Sequence, residues 1–96
     1  MNKNNSQLKV VISVLGKDRP GIVANISMAL MDAGANIDDI NQSLLQDMFA
    51  MTMLVTLNEE KAHFNEVQNN LTALGKKLGL EIRMSREDLY EAMYKI

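Results

Sequence analysis

Leu8-Lys9-Val10-Val11-Ile12-Ser13-Val14-Leu15-Gly16-Lys17-Asp18-Arg19-Pro20-Gly21-Ile22-Val23 changes periodicity partway along its length. Leu8, Val10, Ile12 and Val14 alternate with Lys9, Val11, Ser13 and Leu15, a period of two that predicts a strand. Val11 and Leu15 make the second face apolar as well, which predicts a central strand covered on both sides. The cluster Gly16 to Gly21 stops the strand; Asp18 is placed to cap a following helix and Pro20 to occupy its first turn. Ile22, Ile26, Ala29, Leu30 and Ala33 then recur at steps of three and four, predicting a helix from about Pro20 to Ala33 with Gly34 as its C-terminal stop.

Beyond Gly34 the chain extends again through Asn36, Ile37, Ile40, Gln42 and Leu44. After a break near Gln46-Asp47 it alternates through Phe49, Met51, Met53, Val55 and Leu57, predicting a hairpin. The opposite phase of the second run, Met48, Ala50, Thr52, Leu54 and Thr56, is too apolar for a face wholly in water. Asn58-Glu59-Glu60-Lys61 opens a second predicted helix with the stripe Phe64, Val67, Leu71, Leu74 and Leu78, stopped by Gly79. Leu80, Ile82 and Met84 alternate as a last strand. Ser85 and Asp88 have capping-box spacing, so residues from Arg86 onward form a final helical turn or two presenting Leu89, Tyr90, Met93, Tyr94 and Ile96.

The order strand-helix-strand-strand-helix-strand predicts an α+β, ferredoxin-like βαββαβ fold: a four-stranded antiparallel sheet with two helices on one face. The other face is left bare, a place for a second copy to dock, so a homodimer is expected. Residues 1–7 form a disordered lead, 8–86 the domain, and 87–96 a tail or short helix packing on the domain or on the dimer partner.

At 96 residues one domain is all the chain can build, and 47% hydrophobic with 23% charged residues and one proline is the balance of an ordinary globular protein. Ten Lys plus Arg against twelve Asp plus Glu leave a net charge of -2, poor equipment for binding nucleic acid or an anionic membrane. An RNA-recognition module is further opposed by the missing stacking aromatics, and a copper carrier by the absence of cysteine. No apolar run reaches the roughly 18 to 20 residues of a membrane span, and Met1 to Gln7 is not signal-like, so a soluble cytoplasmic protein is expected. His63 stands one helical turn after Glu59, but two ligands without a third make a poor metal site. Asp38 and Asp39 point to opposite faces of a strand and read as loop or edge charges. No catalytic residue, metal or cofactor is expected, since no nucleophile-base pair can be assembled.

Asp18-Arg19-Pro20-Gly21-Ile22-Val23-Ala24 places a glycine at a strand-to-helix turn, where backbone N–H groups lack partners and attract anions. A small amino acid suits this chemistry: its carboxylate meets the N–H groups near Gly21 to Val23, and Asp18 or a carbonyl receives its ammonium. Asn36, at the start of the next strand, offers both a donor and an acceptor. The same residues also admit a plain structural role, Asp18 capping, Gly21 allowing close packing and Asn36 closing a turn.

Gly-Lys-Asp-Arg-Pro-Gly-Ile-Val from Gly16 to Val23, followed by Gly-Ala-Asn-Ile from Gly34 to Ile37, resembles the pattern of ACT domains, small regulatory modules that sense amino acids and related metabolites. The resemblance covers the chain from Leu8. Asn-Ile-Asp-Asp-Ile-Asn-Gln and the closing Glu-Ala-Met-Tyr-Lys-Ile are similar to stand-alone bacterial members of that family. It implies a ligand held between two subunits by the loop after the first strand and the start of the second. The contacting set is then Asp18, Arg19, Pro20, Gly21, Ile22 and Val23 with Asn36 and Ile37, Asp18 and Asn36 being the polar contacts and Gly21 the point of close approach. Some serine-binding members carry a histidine two residues before the Asp18 position, where this chain has Gly16. No catalytic domain is fused, so the resemblance implies control of a separate protein, a metabolic enzyme or transcriptional regulator, through the dimer surface or the tail. Two alternatives are a ligand-independent protein interaction module and a regulator similar to that of glycine cleavage.

Overall fold

A computed structural model describes residues 7–89. The elements follow in the order β1 (Gln7–Lys17), α1 (Ile22–Asp32), β2 (Asn36–Leu45), β3 (Met48–Asn58), α2 (Phe64–Leu78) and β4 (Leu80–Arg86). The strands form one sheet in the order β2-β3-β1-β4 with every neighbouring pair antiparallel, the βαββαβ fold that the alternation predicts.

Strand periodicity sorts the side chains into two faces. Val10, Ile12 and Val14 of β1, Met51, Met53 and Val55 of β3, and Met84 of β4 turn toward Ile22, Ile26 and Leu30 of α1 and Val67 and Leu71 of α2, making one core. Each large aliphatic chain buried there contributes about 1.5–3 kcal/mol relative to exposure. The far face is covered only in part: Val11 is 2% exposed but Leu15 is 49% exposed. This corrects the expectation of a first strand buried on both sides. Val11 lies between Leu54 and Ser85, whereas Leu15 lies between Ala50, too small to shelter it, and Glu81, a charge.

Both helices start later than their polar leads suggest. Gly21, at φ 85°, is the N-cap of α1, so Asp18 stands outside the helix and makes no cap bond. Asn58 folds its own sequel into a turn: its carbonyl accepts the N–H groups of Lys61 (2.9 Å) and Ala62 (3.2 Å), and its Oδ1 accepts that of Glu60 (3.0 Å). α2 therefore opens only at Phe64. Its first turn is closed by Glu66, which accepts the His63 N–H at 3.2 Å, and by Glu59, which accepts the Phe64 N–H at 3.4 Å. That gives Glu59 and His63 a capping environment.

Among the described residues no helix is long and apolar enough to cross a membrane. Gln7 is already paired with Asn58 in β1, and residues 87–89 are helical after β4. The remaining residues of the expected lead, 1–6, and Tyr90, Met93, Tyr94 and Ile96 of the expected tail lie outside the described residues.

Candidate functional site

The loop between β1 and α1 is pinned from both sides. Asp18 N–H donates to the carbonyl of Asp47 in the β2–β3 turn at 2.8 Å. Arg19 Nη1 donates to the carbonyl of Leu78, the last residue of α2, at 3.0 Å, satisfying a helix-end acceptor with a positive charge. Of the expected contacting residues, Asp18, Arg19, Pro20 and Gly21 are exposed, Val23 is half-buried, and Ile22 is a core residue whose side chain faces away from solvent.

Gly21 supplies the left-handed backbone that turns the loop into the helix. Its carbonyl is occupied twice, by Asn25 N–H at 2.9 Å and Asn25 Nδ2 at 2.7 Å. The first-turn N–H groups of α1 receive no side-chain cap, and the first turn holds no acidic residue. The positive end of the α1 dipole is thus open at its own loop.

Beside that loop lies a cleft of about 330 Å³ lined by Asp18, Gln42, Ser43, Leu44 and Phe49. Phe49, 7% exposed, is the buried part of its wall, and Gln42 and Ser43 supply its polar rim. Gln42, Ser43, Leu44 and Phe49 were not among the residues expected to contact a ligand. The two-residue break at Gln46-Asp47 was the available signal, because a tight hairpin there pairs Leu44 with Phe49 and brings both beside the end of β1. Two further grooves, of about 360 and 450 Å³, lie on the open sheet face around Ser13 and Leu15.

Asn36 and Ile37 are elsewhere. Lys17, next to Asp18, pairs with Met48, whereas Asn36 pairs with Thr56 at the other end of β3. Eight residues of strand separate the two rows, about 26 Å at ~3.3 Å per residue. One chain therefore does not bring the Asp18 loop and Asn36 together.

At its own end of the sheet Asn36 belongs to a polar cluster. A bulge between Ile37 and Asp39 leaves Asp38 as the extra residue of β2. Asn36 Nδ2 donates to Asp38 Oδ1 at 2.6 Å, and Thr56 Oγ1 donates to Asp38 Oδ2 at 2.6 Å. The Thr56 hydrogen bond holds the Asp38 carboxyl below its ordinary pKa against a small opposing desolvation, helped by Asn36 and by the positive charge of Lys9. Asp39 accepts the N–H of Ile40 at 2.9 Å, so the two acids do separate work at the strand edge.

β2 itself is an edge strand and is exposed along its length apart from half-buried Ile37. Its acidic first half and bulge blunt that edge, but from Ile40 to Leu45 it carries no charge, and Leu44 and Leu45 are 58% and 78% exposed.

Fold and site together define a small α+β module with an uncapped strand-to-helix loop and, among the described residues, an unpaired strand edge. A profile described as ACT domain matches residues 9–85, and the chain belongs to that family. It is 43% identical over 88 residues to a UPF0237 protein of Methanopyrus kandleri, covering 92% of this chain and 98% of that one. An ACT domain protein from Streptococcus pneumoniae has a similar structure, with a TM-score of 0.75 and 37% identity over 88% of this chain and 94% of that one. So does a putative glycine cleavage system transcriptional repressor, with a TM-score of 0.76 and 29% identity over 83% of this chain and 46% of that one. Relatives thus occur in archaea as well as in the bacteria that the sequence reading suggested.

Proposed function

We propose that this chain is a non-catalytic regulatory module that binds a small amino acid as a cytoplasmic homodimer and, in the bound form, changes its affinity for a separate metabolic enzyme or transcriptional regulator. The observation that carries this reading is the separation of the Asp18 loop from Asn36 along β2, an edge strand with no partner on its outer side among the described residues. β2 begins at the end of the sheet away from Asp18 and finishes at the end beside it. A second β2 laid antiparallel across a two-fold axis would carry its own Asn36 and Ile37 to the Asp18 end. Each site would then combine the loop and uncapped helix start of one subunit with Asn36 of the partner subunit. The carboxylate of an amino acid suits the open N–H groups of α1, and its ammonium suits carboxylate and carbonyl oxygens.

Family membership supports a regulatory role, and the similarity to a putative transcriptional repressor supports action on another protein. Coupling needs only that ligand and target prefer the same form of the dimer. The test is thermal shift and calorimetry with the twenty amino acids, alongside sedimentation. Saturation at a hundredfold excess over Kd stabilises by about 2.7 kcal/mol, an easily measured rise in Tm. No shift with any of them at millimolar concentration, or a monomer in solution, would remove this reading.

A second reading, a ligand-independent interaction module, is favoured by one observation: Leu15, Leu45 and Met48 are exposed on the open sheet face. Capture of a partner unaffected by amino acids and abolished by Leu15→Asp would replace the first reading with this one.

A further inference from the structure

We infer that Asp38 is a positioning residue that sets which end of the ligand Asn36 recognises, an inference that rests on the amino-acid site proposed above. An ionised carboxylate offers acceptors only, so Asn36 can approach Asp38 Oδ1 at 2.6 Å only through its NH2 group. The carboxamide is thereby oriented: its nitrogen is turned to Asp38 and its oxygen is left for an outside partner. Thr56 behaves in the same way, spending its single O–H on Asp38 Oδ2 at 2.6 Å and keeping only lone pairs to offer. This end of β2 consequently presents the Asn36 carbonyl oxygen and the Thr56 hydroxyl oxygen as acceptors, beside one remaining Asn36 N–H, and is backed by a carboxylate. Asp38, Lys9 and Glu87 line one small recess, and their formal charges, -1, +1 and -1, sum to -1.

Such a surface fits a hydrogen-bond donor and repels an anion. The group that Asn36 meets across the dimer is the ammonium of the amino acid. The carboxylate is left to the opposite wall, the uncapped start of α1. Asp38 stands two residues after Asn36, so strand alternation puts both on one face, and Thr56, the cross-strand partner of Asn36, joins them there.

The experiment compares the amino acid that gives the largest thermal shift with its α-hydroxy acid, glycolate for glycine or L-lactate for L-alanine, by calorimetry on the full chain. The intact protein is expected to prefer the amino acid by about tenfold or more, the size of one charge-assisted hydrogen bond. Asp38→Asn keeps an acceptor of the same shape but no charge, and Thr56→Val removes one of the two braces on the carboxylate. Both are expected to lower that preference severalfold while the Tm without ligand stays close to the starting value. Should Asp38→Asn not fold, Thr56→Val alone carries the comparison. An unchanged preference in the folded variant overturns the role of Asp38 and leaves the amino-acid site standing. Binding of none of the twenty amino acids overturns both.

Discussion

Gly16 and Leu80 are cross-strand partners packed so closely that a Cβ on residue 16 would lie 2.7 Å from Leu80 Cδ2 and 3.1 Å from the Gly79 carbonyl oxygen. The glycine is thus more than a contact removed from the loop. Leu80 fills the space into which a side chain would start, and Leu80 is itself part of the core. A side chain at this position has room only if Leu80 and the adjoining Gly79–Leu80 backbone give way.

Gly16→Ala is therefore expected to destabilise by about 1–3 kcal/mol through overpacking. Gly16→Ala combined with Leu80→Ala should cost less than the sum of the single changes, because the second relieves the clash created by the first. Urea denaturation of the four proteins checks this, and strict additivity would count against the contact.

Ile26, fully buried in α1, faces the sheet at the centre of the core. Ile26→Ala should cost about 2–5 kcal/mol. In a domain of this size that lowers Tm by roughly 4–8 °C per kcal/mol. Ala24, exposed on the same helix, tolerates change to Ser with little effect and serves as the control.

The lowered pKa of Asp38 fixes a sign for acid stability. A carboxyl with a folded-state pKa below its unfolded value contributes stability that is complete above the unfolded value and disappears as pH falls through the folded one. The denaturation midpoint of the unaltered protein should exceed that of Asp38→Asn at pH 6, with the gap closing below the ordinary carboxylate pKa. Because Asp38 is exposed, the gap is small. A gap that persists into acid would assign it to the loss of shape rather than charge.

Leu44→Lys with Leu45→Lys places charge on both faces of the β2 edge at its uncharged end. Both side chains are exposed in the single chain, so the subunit should keep its fold while the dimer dissociates, read by sedimentation and circular dichroism. A dimer of unchanged affinity would place its interface away from this end of β2.

The element order and core were legible because hydrophobic periodicity is a local signal: every residue of the predicted stripe Phe64, Val67, Leu71, Leu74 and Leu78 lies in α2 and is buried or half-buried. Helix starts were not, since the left-handed φ of Gly21 and the turn made by Asn58 are backbone choices that the polar residues around them do not announce. The position of Asn36 was implicit in the topology. A helix between the first two strands makes them run the same way, so the start of β2 must lie at the start of β1, far from Asp18. Asn36 and Asp38 share a face by ordinary strand alternation, but the third member of the cluster, Thr56, comes from β3, and its place depends on a pairing register that local periodicity does not announce.

That placement at opposite ends of the sheet gives the proposed site a genetic signature. Asp18→Ala chains and Asn36→Ala chains, each inert alone, would complement one another when co-expressed. Every mixed pair would rebuild one whole pocket from its two sound halves and concentrate both defects in the other. Random mixing in equal amounts should restore roughly a quarter of the pockets, whereas a pocket made within one chain would restore none.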